Sequence, residues 1–242
     1  MAKVKKTAII QPYNKYLSSQ SYSDDFGYSD EWNDEIDKWL KTVQEVGPSY
    51  LENNKNRFKK EKQRDELLAE IKAIYFLKEK LGLDILQLEP PGKDGHVLDI
   101  QIKDINDKTW DVEVKAPSWR KGIWDDSSLS EEEKKNRLEK PKYINAEARS
   151  FSFDDALVDP IKRSVKQFDP SCNNLLLIVP NMFVTPLASP NLKYSINKLL
   201  KVHDLQSVIS AVCIINIELP VNSGFKYDFK IIPITQEFNP NS

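Results

Sequence analysis

Leu98-Asp99-Ile100-Gln101-Ile102-Lys103, a polar loop Asp104–Lys108, then Thr109-Trp110-Asp111-Val112-Glu113-Val114-Lys115-Ala116 is the stretch that decides how this 242-residue chain folds. Side chains alternate along a strand. Leu98, Ile100 and Ile102 therefore point to one side, and Asp99 and Gln101 to the other. In the second segment Val112 and Val114 point to one side, and Asp111, Glu113 and Lys115 to the other. Period-two alternation on both sides of a polar loop predicts a hairpin over Val97–Lys103 and Thr109–Ala116. If the loop has an odd number of residues, Asp99 faces Glu113 on one surface. Two carboxylates close together on rigid strands form an oxygen-rich site suited to Mg²⁺. Lys115 lies on the same face as Glu113, about 7 Å further along. There an ammonium could hold an attacking water or offset charge on a phosphorane-like transition state.

Working outward, the pattern changes to that of helices. Leu67, Ile71, Ile74, Leu77 and Leu81 form the stripe of a helix predicted over Lys59–Leu81, ended by Gly82. Glu70 falls inside that stripe. An acid on a buried face is costly unless paired or metal-bound, so Glu70 is expected to reach the same metal site. Further upstream, residues 1–29 lack periodicity and read as an arm. A helix over Glu31–Val46, capped by Ser29 or Asp30, buries Trp32, Ile36, Trp39, Leu40 and Val43 and stops at Gly47-Pro48.

Between the long helix and the hairpin, Asp84–Glu89 reads as a short strand and Pro90–Gly95 as a turn. After the hairpin, residues 117–150 form a charged insertion with one helix near Ser130–Leu138. Beyond it come a helix over Asp159–Phe168 opened by Pro160, an apolar strand Leu175–Pro180, a helix Asn191–His203, a buried strand Val208–Ile217 and an edge strand Tyr227–Ile234. The sum is an α/β (α+β) fold with a central mixed β-sheet flanked by helices. It divides into an N-terminal arm and helix, 1–58, and an α/β domain, 59–242, carrying the inserted loop.

Composition narrows the function classes. No apolar run approaches the roughly 18 residues of a membrane span, and the basic start has too short an apolar stretch for a signal peptide. Two cysteines, Cys172 and Cys213, exclude a disulfide framework and a cysteine zinc cluster. The two histidines make a histidine-rich metal centre a poor fit. A cytoplasmic, reducing setting without membrane partners is expected. The net charge of −2 is not a nucleic-acid signature, but its distribution is uneven. Nine acids and two bases lie between Ser21 and Glu52, and six bases with one acid between Lys55 and Arg64. Such a split can leave a local basic face for phosphates, or simply two solvated helix faces.

An acid-x-Lys triplet alone is weak: it occurs five times, at Glu70, Glu113, Glu132, Glu133 and Asp228. Only Glu113 and Asp228 fall on predicted strands. Asp228 has a rival partner in Glu218, but no preceding helix carries an acid in its apolar face. Ser118-Trp119-Arg120-Lys121-Gly122-Ile123-Trp124 interleaves bases with tryptophans, a pattern that contacts phosphates and stacks on bases, or docks on the protein body. His96 beside Gly95 reads as a turn histidine, with general base as the sharper alternative.

The order of elements over about residues 60–217, namely a helix with Glu70, a strand, a turn, a strand with Asp99, a strand with Glu113-Val114-Lys115, a crossover helix and an apolar strand, resembles the PD-(D/E)xK nuclease superfamily. That resemblance implies a restriction-endonuclease-like core with a helical N-terminal extension. It implies that Asp99 and Glu113 bind Mg²⁺ (Mn²⁺ substituting), that the Val114 carbonyl is a further ligand, that Glu70 supports the metal, and that Lys115 orients or activates the water. Gln167 matches a position where some members carry a glutamine near the site; a solvent-facing glutamine is the plainer reading. Leu98 stands where the motif has its proline. The implied activity is Mg²⁺-dependent hydrolysis of DNA, double-stranded by expectation, by a restriction-type or defence endonuclease acting as a homodimer, with RNA as an alternative substrate. The rival implication is a catalytically inactive, nuclease-like subunit that binds DNA or protein.

Overall fold

The first helix, α1 (Asp30–Val46), forms where the apolar spacing predicts it, and Ile36, Trp39, Leu40 and Val43 are buried along one face. It ends at Gly47, whose amide donates to the Val43 carbonyl at 2.8 Å. The site is close-packed there, since a Cβ on Gly47 would lie 2.6 Å from Leu88 Cδ1 and the leucine tip would have to shift. In the computed structural model residues 30–59, 61–116, 161–179, 192–218 and 225–240 are described. The arm 1–29, the insertion 117–150 with its helix near Ser130–Leu138, and the opening of the next helix at Asp159-Pro160 lie outside the described residues.

After α1 come a short helix α2 (Tyr50–Asn54), a 3₁₀ turn (Lys55–Lys59) and helix α3 (Glu61–Tyr75). The single helix expected over Lys59–Leu81 is therefore composite, since its last stretch, Phe76–Lys80, is a π-turn. There the Leu81 amide donates to the Phe76 carbonyl at 3.0 Å, five residues back. The wider turn keeps Phe76, Leu77 and Leu81 all buried against the sheet. Gly82, at φ 64°, closes the helix in the left-handed region.

Six strands form one sheet in the order β1-β2-β3-β4-β5-β6. They are β1 (Asp84–Leu88), β2 (Ile100–Lys103), β3 (Thr109–Lys115), β4 (Asn174–Ile178), β5 (Ala211–Glu218) and β6 (Lys226–Pro233). The β3–β4 and β4–β5 pairs are parallel and the others antiparallel, so the sheet is mixed. After the buried Asn174, β4 is apolar from Leu175 to Ile178 because both its faces are covered. Leu175 and Leu177 join the core beneath α1 and α3, while Leu176 and Ile178 join a second core on the opposite face. That second core is closed by the helical segment α4 over 161–165 and by helix α5 (Leu192–Val202).

The hairpin has the expected loop of five residues, 104–108, and pairs Ile100 with Val112 and Lys103 with Thr109. Its loop is fixed from within. The buried Asp104 carboxylate accepts from the Asn106 amide (2.9 Å), the Lys108 amide (3.0 Å) and the Trp110 indole (3.0 Å). Two expectations are corrected. β2 begins at Ile100, not at Val97, and Leu98 lies in the α4–α5 core while Ile100 and Ile102 lie in the other. The alternation breaks at Asp99 because the chain there leaves β3 and follows β1, with the Glu89 amide donating to the Asp99 carbonyl at 3.0 Å. The C-terminal hairpin does not reproduce the acid pair, since Glu218 pairs with Lys226, and Asp228 pairs with Asn216 and forms an ion pair with Lys226 at 2.8 Å.

Because Asp104 sets the register that brings Asp99 level with Glu113, Asp104→Ala should lower stability by about 1–3 kcal/mol. Urea unfolding with unchanged m reads this out, and an unaltered midpoint would show that the loop does not fix the hairpin.

Candidate active site

The site lies where β2 parts from β3. Continuing the ladder one step past Ile100–Val112 sets Asp99 level with Glu113, but no backbone pair forms there. Instead Asp99 Oδ2 accepts the Val114 amide at 2.7 Å. A strand residue's N–H and C=O point to the same side, so the Val114 carbonyl faces the gap that the departing strand leaves. Glu113 and Lys115 alternate with Val112 and Val114, which are buried in the α1–α3 core, so both acid and lysine rise on the opposite face.

Glu113 is 1% exposed. Its Oε1 forms an ion pair with Lys115 Nζ, while Oε2 is buried with no hydrogen-bond partner among the described residues. Lys115 also donates to Gln167 Oε1 at 3.4 Å. Gln167, just past α4, is the local pivot: its side-chain amide donates to the Val97 carbonyl at 3.2 Å and its own carbonyl accepts the Lys93 amide at 3.1 Å. This turn approaches so closely that a Cβ on Gly92 would sit 2.9 Å from the Gln167 carbonyl oxygen. The glutamine thus faces Lys115 and the 92–97 turn, contrary to the solvent-facing reading. His96 is exposed, and its carbonyl accepts the Gly92 amide at 2.7 Å in that turn.

Glu70 approaches from α3, on the other face of the sheet. It is buried and held by Arg57 through both oxygens, at 2.5 and 2.8 Å, and by the Tyr50 hydroxyl at 2.5 Å. Burial opposes the charge on Arg57, but the hydrogen bonds and charge of Glu70 outweigh it and raise the guanidinium pKa. Breaking one side of such a pair while the other stays buried costs about 3–5 kcal/mol, so the burial of Glu70 depends on Arg57. Tyr50 is held protonated by burial first and then by the charges of Glu70 and Asp99. The sequence marked Arg57 only as one of six bases in the 55–64 run, and nothing in that run distinguishes an inward-facing arginine from a solvated one. Trp119, Arg120 and Lys121 lie outside the described residues.

The electrostatics are those of crowded acids. Asp99 is raised well above an ordinary aspartate by burial, then by the charges of Glu113 and Glu70, against which Lys115 and the Val114 amide act. Glu113 is raised by burial; Lys115 works against this, Glu70 adds to it, and the nearby Gln167 amide favours the charged form least. Among the described residues no three His, Cys, Asp or Glu side chains converge to enclose an ion. The available donors are two carboxylates and one main-chain carbonyl, all hard oxygens. That set fits Mg²⁺, which keeps several waters and takes only one or two carboxylates, better than an ion that demands a full protein cage. The unpartnered Glu113 oxygen and the mutually raised acids are what a bound cation would relieve.

No protein family and no curated protein match this sequence. A solved structure, Pyrococcus furiosus SfsA in complex with Ca²⁺, is similar at 15% identity, covering 69% of this chain, with a TM-score of 0.31. The aligned part spans 63% of that protein, and a likeness this distant adds nothing to what the residues themselves show.

In metal-free buffer Asp99 and Glu113 should titrate above the usual carboxylate range by carboxyl-carbon NMR, and Lys115→Met should move Glu113 higher still. Groups with raised folded-state pKa are bound to protons more readily folded than unfolded. The stability of the wild type relative to an Asp99→Asn/Glu113→Gln variant should therefore fall as pH rises from about 4 through the raised values. A flat difference would contradict the crowding of these acids.

Proposed function

We propose that this chain hydrolyses phosphodiester bonds in DNA with the help of a divalent ion, Mg²⁺ or Mn²⁺ in its place, as a nuclease of the restriction-endonuclease-like kind acting in restriction or defence. The observation that carries the reading is the buried Glu113 Oε2, without a hydrogen-bond partner among the described residues, beside Asp99 at the β2–β3 fork, with Lys115 held next to it by Glu113 and Gln167. Asp99, Glu113 and the Val114 carbonyl would hold the ion, while Glu70, engaged by Arg57 and Tyr50, lies behind the site on α3 without holding it. Bound there, a divalent ion supplies Lewis-acid polarisation of a phosphoryl oxygen and lowers the pKa of water.

The chain's own groups do the remainder. Glu113 and Gln167 fix the Lys115 ammonium, which donates to the attacking water or to the phosphoryl oxygens as their negative charge grows. Asp99 keeps the fork open by occupying the Val114 amide, which leaves the carbonyl of the same residue for the ion. Trp119, Arg120 and Lys121, directly after Lys115 in sequence, are proposed to contact the nucleic acid. Cleavage of both strands of a duplex would call for two such sites, hence a homodimer.

Supercoiled plasmid, linear duplex, single-stranded DNA and RNA incubated with Mg²⁺, Mn²⁺ or EDTA test the reading. Cleavage should require the metal and fall about 10²–10³-fold in Lys115→Ala, the usual cost of losing a group that stabilises transition-state charge. Binding of DNA without cleavage, indifferent to EDTA and to Lys115→Ala, would replace the enzyme with a nuclease-like binding subunit.

A further inference from the structure

Glu70 and Arg57 carry a consequence for how many ions the site can take. Glu70 Oε2 accepts both Tyr50 and Arg57, and Oε1 accepts the second arm of Arg57. Arg57 is itself held in place, since its Nη1 also donates to Asn54 Oδ1 at 3.2 Å. Asn54 in turn donates to the Tyr50 carbonyl at 3.1 Å and to Glu89 at 3.0 Å. The arginine is thus part of a constructed network joining α2, the 3₁₀ turn and α3. Its charge is felt by Glu70 and, at longer range, by Asp99.

With Asp99 and Glu113 both ionised, as holding an ion requires, the formal charges of Glu70, Asp99 and Glu113 against Lys115 and Arg57 sum to one negative charge. One divalent ion turns that into one positive charge, which matches the single negative charge of a phosphodiester. A second ion would leave the site strongly positive, and it would need Glu70, whose oxygens already accept three hydrogen bonds. From this geometry we infer that the centre binds a single divalent ion through Asp99 and Glu113, and that Arg57 both withholds Glu70 from coordination and supplies the charge that a second ion would bring.

This rests on the metal-dependent reading above, and the experiment separates the two. Mn²⁺ is titrated calorimetrically into metal-free protein in phosphate-free buffer. The wild type should bind one ion per chain, Glu70→Gln should still bind one with affinity within about tenfold, and Asp99→Asn and Glu113→Gln should bind none. Arg57→Met, which frees Glu70, should gain a second ion. Should that variant not fold, the wild type and Glu70→Gln still decide the matter. Two ions in the wild type, loss of the ion in Glu70→Gln, or a single ion in a folded Arg57→Met would overturn the inference while the metal site stood. No ion in the wild type would overturn the metal-dependent reading itself.

Discussion

The hydrogen bond from the Val114 amide to the Asp99 carboxylate stands where a backbone ladder bond would otherwise form, and much of the site follows from that substitution. A buried N–H left without an acceptor costs free energy comparable to a lost hydrogen bond, so β2 can leave β3 only if something else takes that amide. Asp99 does so with its side chain, and the strand is then free to follow β1 through the Glu89–Asp99 bond. The fork that results brings a carboxylate, a main-chain carbonyl and the side chains of β3 to one place. It also shifts Leu98 into the opposite core, the cluster that includes Phe168 and Leu176.

Around the fork, the surroundings set the chemistry. Burial and like charge push Asp99 and Glu113 towards their neutral forms, while Lys115, anchored by Gln167, pulls the other way. On the far side, Arg57 and Tyr50 hold the Glu70 carboxylate, whose charge still adds to the rise of Asp99 and Glu113. The two sides come from different layers: α4 and its turn supply Gln167, while the N-terminal helical segments supply Tyr50, Arg57 and Glu70. Both layers are packed on the same sheet, so the site depends on the whole molecule being assembled.

Much of this could be read from the residues. The period of two in 98–103 and 109–115 gave the hairpin, and the five-residue loop meets the odd-number condition that sets Asp99 level with Glu113. Glu70 betrayed itself as an acid inside an apolar stripe, and it is buried as that position requires. The side change at Leu98 was hidden because alternation assumes an unbroken strand, and the departure from β3 is driven by a long-range bond to Val114. Arg57 was hidden because a run of bases carries no period that marks which one turns inward. The π-turn after Tyr75 was hidden for a similar reason: Leu77 and Leu81 suit an α-helical stripe equally well, so their spacing does not mark the wider turn.

Anomalous diffraction from crystals soaked in Mn²⁺ tests most directly whether the fork is a metal centre. A peak about 2.0–2.4 Å from carboxylate oxygens of Asp99 and Glu113, and at similar distance from the Val114 carbonyl, is the expected result. A peak elsewhere on the chain, or none at this fork in crystals that diffract well, would contradict it.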